Sequence, residues 1–510
     1  MQQYLTEQAV VYSAKSDAEK SFDYILPEYL PGISRIIKTA VSPETCTFIA
    51  NIGECACQTA VKISIIYVSE YDGRIKSASF REDISVPFKE PFGHTGEFTA
   101  IPSFFVSSAH TTMLSPRKVS VKMTLQASVS AYSENVTPIF SPSGKDGMCV
   151  LKNKELAFCK KILPETQLEK TAEISIDADK AGVGEIVYTD AAFLGVEAEC
   201  GDGSLDFNAS ISLRMLYESA EDDSAEKGTY SYLDTDIKLA DTVHFANISD
   251  GDMPYLYIDI LSAEPSVALD PYGENRLISM TVKYTVSGFA YSKKECEFVT
   301  DAFLEGCSAS PEMSAVFVDT VHSHISKKEY ISQNVRADIR EITEVNACNT
   351  KILSVSTEHS EGRFFAVIKC LAGIFGTNLS GELSALDVPL MLKIPLGTEE
   401  NLPPDAIPDC IIGISGCSAQ IKDGGLKMDF EVDVNGVFVL RSKSTVVSSM
   451  SQNDEKDMCR KGGEIIIYYP KKGESLWEIA KRYRVSPEKI CLANGKEENQ
   501  LKDCRTVIIP

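Results

Sequence analysis

The sequence predicts a mainly β chain: three tandem antiparallel β-domains followed by a small βααβ domain. Three observations carry this. Long stretches alternate apolar and polar residues, as across 118–132, the mark of strands with one wet face. The same programme of strands returns twice, and its apolar anchors Tyr67, Tyr217 and Phe375 lie 150 and 158 positions apart. A clear helical periodicity marks the end of the chain, after residue 465.

In the first copy, 61–67 alternates so that Ile63, Ile65 and Tyr67 share a face. Tyr71-Asp72-Gly73 then turns the chain into 75–80, because Asp-Gly between two β-rich runs signals a hairpin. The run 84–88 follows, and 118–132 closes the copy after the turn Ser115-Pro116-Arg117. In the second copy 211–217 precedes an acidic stretch at 218–227, then 229–233 and 237–239, and 277–291 closes it after Asp270–Gly273. The third runs through 365–375, 382–386 and 388–392 and closes with 426–440 after Asp423-Gly424-Gly425. Pro- or charge-rich breaks at 138–147, 308–311 and 448–463 suggest domains over 1–150, 151–310 and 311–447, a flexible tether at 448–463 and a final domain at 464–510. Residues 17–37 suggest a helix ending before Pro27 or Pro31.

The final stretch opens with a β-rich run at 465–469 and a turn at Lys472-Gly473. Leu476, Ile479, Ala480 and Tyr483 recur at helical spacing. Ser486 is an N-cap with Pro487 at the first helical position, and that second helix is expected to bury Ile490 and Leu492. Asn494-Gly495 is a left-handed stop, and 507–510 is a closing strand.

This stretch resembles a LysM module, on Gly473-Glu474-Ser475-Leu476-Trp477-Glu478-Ile479-Ala480, Tyr483, Val485-Ser486, Asn494 and Ile509-Pro510. The resemblance implies binding of N-acetylglucosamine-containing glycans such as peptidoglycan and chitin. Its groove would be walled by Gly473, Glu474, Ser475 and Leu476 on one side and by Asn494, Gly495 and Lys496 on the other. Cys504-Arg505 stands where the family often has Gly-Gln, and Glu474-Ser475 where Asp-Thr is more usual. Leu30-Pro31-Gly32-Ile33, the strand ending at Tyr67, the Asp72-Gly73 hairpin and Val86-Pro87-Phe88 resemble a SPOCS domain. That family of endospore-forming Firmicutes often carries such β-domains in tandem before a LysM module. The combined resemblance implies a non-catalytic adaptor of spore-coat assembly, on the mother-cell side of the forespore, whose LysM module docks on a coat-basement ATPase. The residues expected to meet that protein surround the first helix: Lys471, Lys472, Leu476, Trp477, Lys481 and Arg482. Trp477 also reads as core of a tiny domain.

With 510 residues, 44% of them hydrophobic, the chain is globular and long enough for roughly three or four domains. A net charge of −23 argues against nucleic acid as a main partner. Residues 465–510 carry +3, leaving −26 for the rest, a basic head on an acidic body. The opening residues lack a charged lead and an apolar run, so no secretory signal is read there and a cytosolic protein is expected. No run is long enough to span a membrane. Fifteen cysteines without a CxxC pair read as reduced, mostly buried thiols, and Cys55 and Cys57 share a strand face. His322-Ser-His324 lacks completing ligands, so neither metal nor cofactor is expected. No nucleophile elbow, P-loop, dinucleotide fingerprint or HExxH occurs, and no catalytic residue is assigned. The competing readings are a protein-binding adaptor, a glycan-binding protein and self-associating β-domains with exposed strand edges.

Overall fold

The structure is a computed structural model that describes residues 4–510 apart from 52, 142–146, 178, 221–228, 307–308, 338, 340–341, 398–401, 423, 453–464 and 502–503. The chain is mainly β, and every strand pairing is antiparallel.

The first unit contains β1 (Tyr4–Ile25), β2 (Ile33–Pro43), β3 (Thr47–Asn51), β4 (Glu54–Ser69), β5 (Ile75–Pro87), β6 (Thr99–Ser115) and β7 (Lys118–Pro138). The second contains β8 (Met148–Ser175), β9 (Val183–Gly201), β10 (Ser204–Ser219), β11 (Tyr230–His244), β12 (Met253–Ala268) and β13 (Leu277–Leu304). The third contains β14 (Ala309–Val335), β15 (Glu344–Ser360), β16 (Arg363–Thr377), β17 (Leu383–Pro395), β18 (Ile407–Lys422) and β19 (Gly425–Gln452).

Each unit is a sandwich with the same plan. One sheet holds its first, last and next-to-last strands, with the last in the middle: β1-β7-β6, β8-β13-β12 and β14-β19-β18. The other is centred on β4, β10 or β16. The two central strands face each other across the core. In the first unit Val61, Ile63, Ile65 and Tyr67 share one core with Val119, Val121, Met123 and Leu125; the second unit's core likewise holds Met215 with Met280 and Tyr284, and the third's Ile374 with Met428 and Phe430. Prolines within strands, such as Pro102, Pro254, Pro389 and Pro408, sit on sheet-edge strands, where a missing N–H breaks no ladder.

Three sequence expectations change. Residues 17–25 belong to β1, not to a helix, because β1 pairs with β7 along its whole length. The helix-prone Ala-Glu-Lys run is overruled by that pairing. The third anchor is displaced by one residue. Tyr67 and Tyr217 are fully buried, and their hydroxyls donate to the carbonyls of Pro31 and Ala181 at 3.1 and 3.3 Å. The core-facing series of β16 instead runs Ala372, Ile374, Gly376, and Ile342 fills the space beside Gly376. Phe375 points out of the opposite face, together with Ile66 and Leu216, into an apolar cluster shared by all three units. Finally, β19 continues to Gln452, past the expected domain end at 447, so 448–452 is strand; the rest of the expected tether lies outside the described residues.

The units touch pairwise. Lys76 pairs with Glu185 at 2.5 Å, and Tyr230 Oη accepts the Ile75 amide at 2.6 Å. Lys38 pairs with Asp387 at 2.7 Å and Lys160 with Asp409 at 2.5 Å. No helix among the described residues is long and apolar enough to cross a membrane.

Candidate functional site: the C-terminal module

The last element group is β20 (Ile466–Tyr468), α1 (Leu476–Tyr483), α2 (Pro487–Asn494), a short α3 (Glu498–Leu501) that the βααβ expectation omitted, and β21 (Val507–Ile509). Strands β20 and β21 pair antiparallel, with Ile467 opposite Ile508. Local chemistry fixes both main helices. Ser475 caps α1: its hydroxyl accepts the Glu478 amide at 3.2 Å, and Glu478 Oε2 accepts the Ser475 amide at 2.8 Å, a complete capping box. Ser486 caps α2 with Pro487 behind it, and Gly495 ends α2 in the left-handed region at φ +60°. Leu476, Ile479, Ala480, Val485, Ile490, Val507 and Ile509 form the core. Leu492, expected inside, is 80% exposed: α2 turns Ile490 inward and leaves Leu492 on its outer side.

The predicted groove residues divide sharply. Glu474 is a clamp within the module. Its carboxylate accepts Tyr468 Oη–H at 2.9 Å and the Lys471 amide at 3.0 Å, and pairs with Arg482 at 2.7 Å. The Lys471 amide, then Tyr468 and Arg482, outweigh burial and hold its carboxyl below the usual range. Asn494 is committed too: Nδ2 donates to the Ile490 and Ile508 carbonyls, both at 2.7 Å, and Oδ1 accepts the Ile508 amide at 2.8 Å. It ties the end of α2 to β21. Ser475 is the cap and Leu476 is core. Gly473 and Gly495, by contrast, are exposed, with no atom within 4 Å of where a Cβ would stand. Lys496 is exposed, its ammonium donating to Cys504 Sγ at 3.1 Å.

The residues predicted to meet a protein partner also divide. Trp477 Nε1–H donates to Asp301 at 2.8 Å, and Lys481 reaches both oxygens of the same carboxylate at 2.6 and 2.8 Å. The indole packs on Phe303 with ring centroids 5.1 Å apart. Next to it Glu305 accepts the Ser486 amide at 2.7 Å and pairs with Lys489 at 2.6 Å, and the Gly306 amide donates to the Arg484 carbonyl at 3.1 Å. The end of β13 and the turn after it therefore hold one side of the module. Burial pushes the Asp301 carboxyl up, but the bonds from Lys481 and Trp477 outweigh it and leave it lowered; Glu305 is lowered likewise, by Lys489 and Ser486 against burial. Arg482 is in the Glu474 clamp. Lys471 and Lys472 remain exposed. In sequence they closely follow Ile465, Ile467 and Tyr469, which are exposed, as is Ile508, the partner of Ile467 across the strand pair.

Sequence reasoning passed over Tyr468, Asp301 and Glu305. Tyr468 stood in the β-rich run but signalled only a strand residue. Asp301 and Glu305 are far from the module in sequence, and nothing local marks them as its dock.

No curated protein and no solved structure matches the chain. The family model described as LysM domain matches residues 471–508, the stretch bounded by the Glu474 clamp and the closing strand β21. The C-terminal module of this chain is a LysM domain.

Proposed function

We propose that the protein is a non-catalytic glycan-binding protein that presents a LysM groove on a β-body, for N-acetylglucosamine-containing glycans such as peptidoglycan. The presence of a LysM domain itself suggests glycan binding. One observation carries the reading further: the body holds the module by Trp477, Lys481, Arg484, Ser486 and Lys489, while the loops at Gly473 and Gly495 face outward and are unobstructed. Glu474, Ser475 and Asn494 act here as the frame of the groove, and the ligand meets exposed backbone at 473 and 495 and the Lys496 side chain. The test is binding of N-acetylglucosamine oligomers to the full chain and to Gly495→Asn. Asn tolerates the left-handed backbone and places a side chain where the groove is open. Binding by the parent chain and weakened binding by the variant support the reading. No binding by the parent chain at millimolar oligomer, with the module folded, overturns it.

A second reading is favoured by the exposed lysines that closely follow the exposed Ile465, Ile467 and Tyr469 in sequence. In it the protein is an adaptor of spore envelope and coat formation, sited on the mother-cell side of the forespore. The module docks on a coat-basement protein of ATPase-like morphogenetic type through Lys471, Lys472 and the rim of the Arg482 clamp. The resemblance of the first unit to a SPOCS domain supports it. Trp477 and Lys481 join such an interface only if their contact with Asp301 opens. Capture of that protein by the full chain, lost in Lys471→Glu/Lys472→Glu, supports this reading, and capture unaffected by the pair of changes contradicts it.

A further inference from the structure

The fifteen cysteines take no part in either reading, yet two of them are set apart. Cys348 on β15 and Cys417 on β18 belong to different sheets of the third unit, and their Sγ atoms are 2.7 Å apart. The corresponding strands of the first unit, β2 and β6, are bridged by the hydroxyls of Thr39 and Thr111 at 2.6 Å. The same seam is thus closed by hydroxyls in one unit and by thiols in another. We propose that Cys348 and Cys417 are a redox-active dithiol that closes to a disulfide across the sandwich of the third unit.

Three features taken together distinguish this pair among the described thiols. First, Cys417 is reachable: it lines a surface hollow of about 540 Å³ with Arg214, Tyr330, Ser418 and Asp429. Second, the hydrogen bond from Cys348, helped by Thr350 and by the Arg214 guanidinium, holds the Cys417 thiol below its usual range against the effect of burial. The same contact and burial push Cys348 up. Cys417 is therefore the attacking sulfur and Cys348 the resolving one. Third, burial raises the thiols of Cys149, Cys159, Cys200, Cys370 and Cys410, which makes them poor nucleophiles. Cys57 is also lowered, by its neighbour Cys46, but it is fully buried in the core of the first unit.

The oxidant is a low-molecular-weight disulfide. The Cys417 thiolate attacks one of its sulfurs and expels one small thiolate, giving a mixed disulfide. Cys348 then loses its proton and attacks Cys417 Sγ, expelling the second small thiolate. Two protein thiols are oxidised, and one small disulfide is reduced to two thiols. The full-length protein should be treated with oxidised glutathione, quenched by alkylation over time and peptide-mapped without reduction. The expected result is a Cys348–Cys417 cross-link forming on the order of tenfold faster than oxidation of any other cysteine, including the Cys46–Cys57 pair. In Cys348→Ser the glutathione should remain on Cys417. Cys348 and Cys417 staying fully alkylatable while other cysteines oxidise overturns the proposal, and that result needs no variant to fold.

Discussion

The two sides of the LysM domain use the same kinds of residue for opposite ends. On the docked side, Trp477, Lys481 and Lys489 are satisfied by Asp301 and Glu305, and Phe303 covers the indole. On the open side, the glycines at 473 and 495 and the lysines at 471 and 472 are exposed, and every polar side chain with a strong set of bonds is bonded within the module. The difference shows that an aromatic and a cluster of cations on a small domain do not by themselves mark its ligand face. Here they mark the face by which the domain is held, and the face proposed to meet ligand is the one with little side-chain chemistry on display.

The largest effect expected from breaking this division is on the frame of the open side. Glu474→Ala leaves Tyr468, the Lys471 amide and Arg482 without their acceptor and should destabilise the module by about 3 kcal/mol, read as its denaturant unfolding. Next comes the docked side. Asp301→Ala removes the shared acceptor of Trp477 and Lys481, costing about 1–2 kcal/mol, and should raise hydrogen exchange in α1 while leaving the body unchanged. The same contact has a pH sign. Asp301 and Glu305 are lowered in the folded protein, so their contribution is present above the ordinary carboxylate range, about pH 4, and fades as the pH falls below it. Exchange in α1 should therefore rise on acidification from that point. Gly495→Asn should cost less than about 1 kcal/mol of stability, while weakening oligomer binding on the order of tenfold. Smallest is Lys471→Glu/Lys472→Glu, two exposed changes that should move stability by no more than about 0.5 kcal/mol and leave docking to Asp301 intact.

Much of the module was legible because its signals are local. Ser475, Ser486, Pro487 and Gly495 each do at their own position what a cap or stop does, and the face Leu476-Ile479-Ala480 is buried as its spacing implies. Leu492 was misread because an eight-residue helix with one buried residue has too little periodicity to orient. Alternation likewise located Ile63, Ile65 and Tyr67 in the core. It could not place Phe375, where a glycine in the third unit takes the tyrosine's position and shifts the apparent repeat by one. A signal was present nonetheless: Ile65-Ile66-Tyr67, Met215-Leu216-Tyr217 and Ile374-Phe375 interrupt alternation with consecutive apolar residues, as strands buried on both faces do. The first strand hid behind helix-prone residues whose pairing with β7 is set by tertiary structure. The dock at Asp301 and Glu305 was not legible, since it joins segments from different units and depends on where the whole body places its β13 corner.

In the proposed binding mode the LysM domain meets its ligand on the side away from Asp301 and Glu305. Hydrogen exchange of the full-length protein, with and without saturating N-acetylglucosamine oligomer, reads both sides at once. New protection is expected at 473–476 and 494–496, with no change across 477–489. Protection confined to 477–489, with the loops at Gly473 and Gly495 unaffected, would contradict that binding mode.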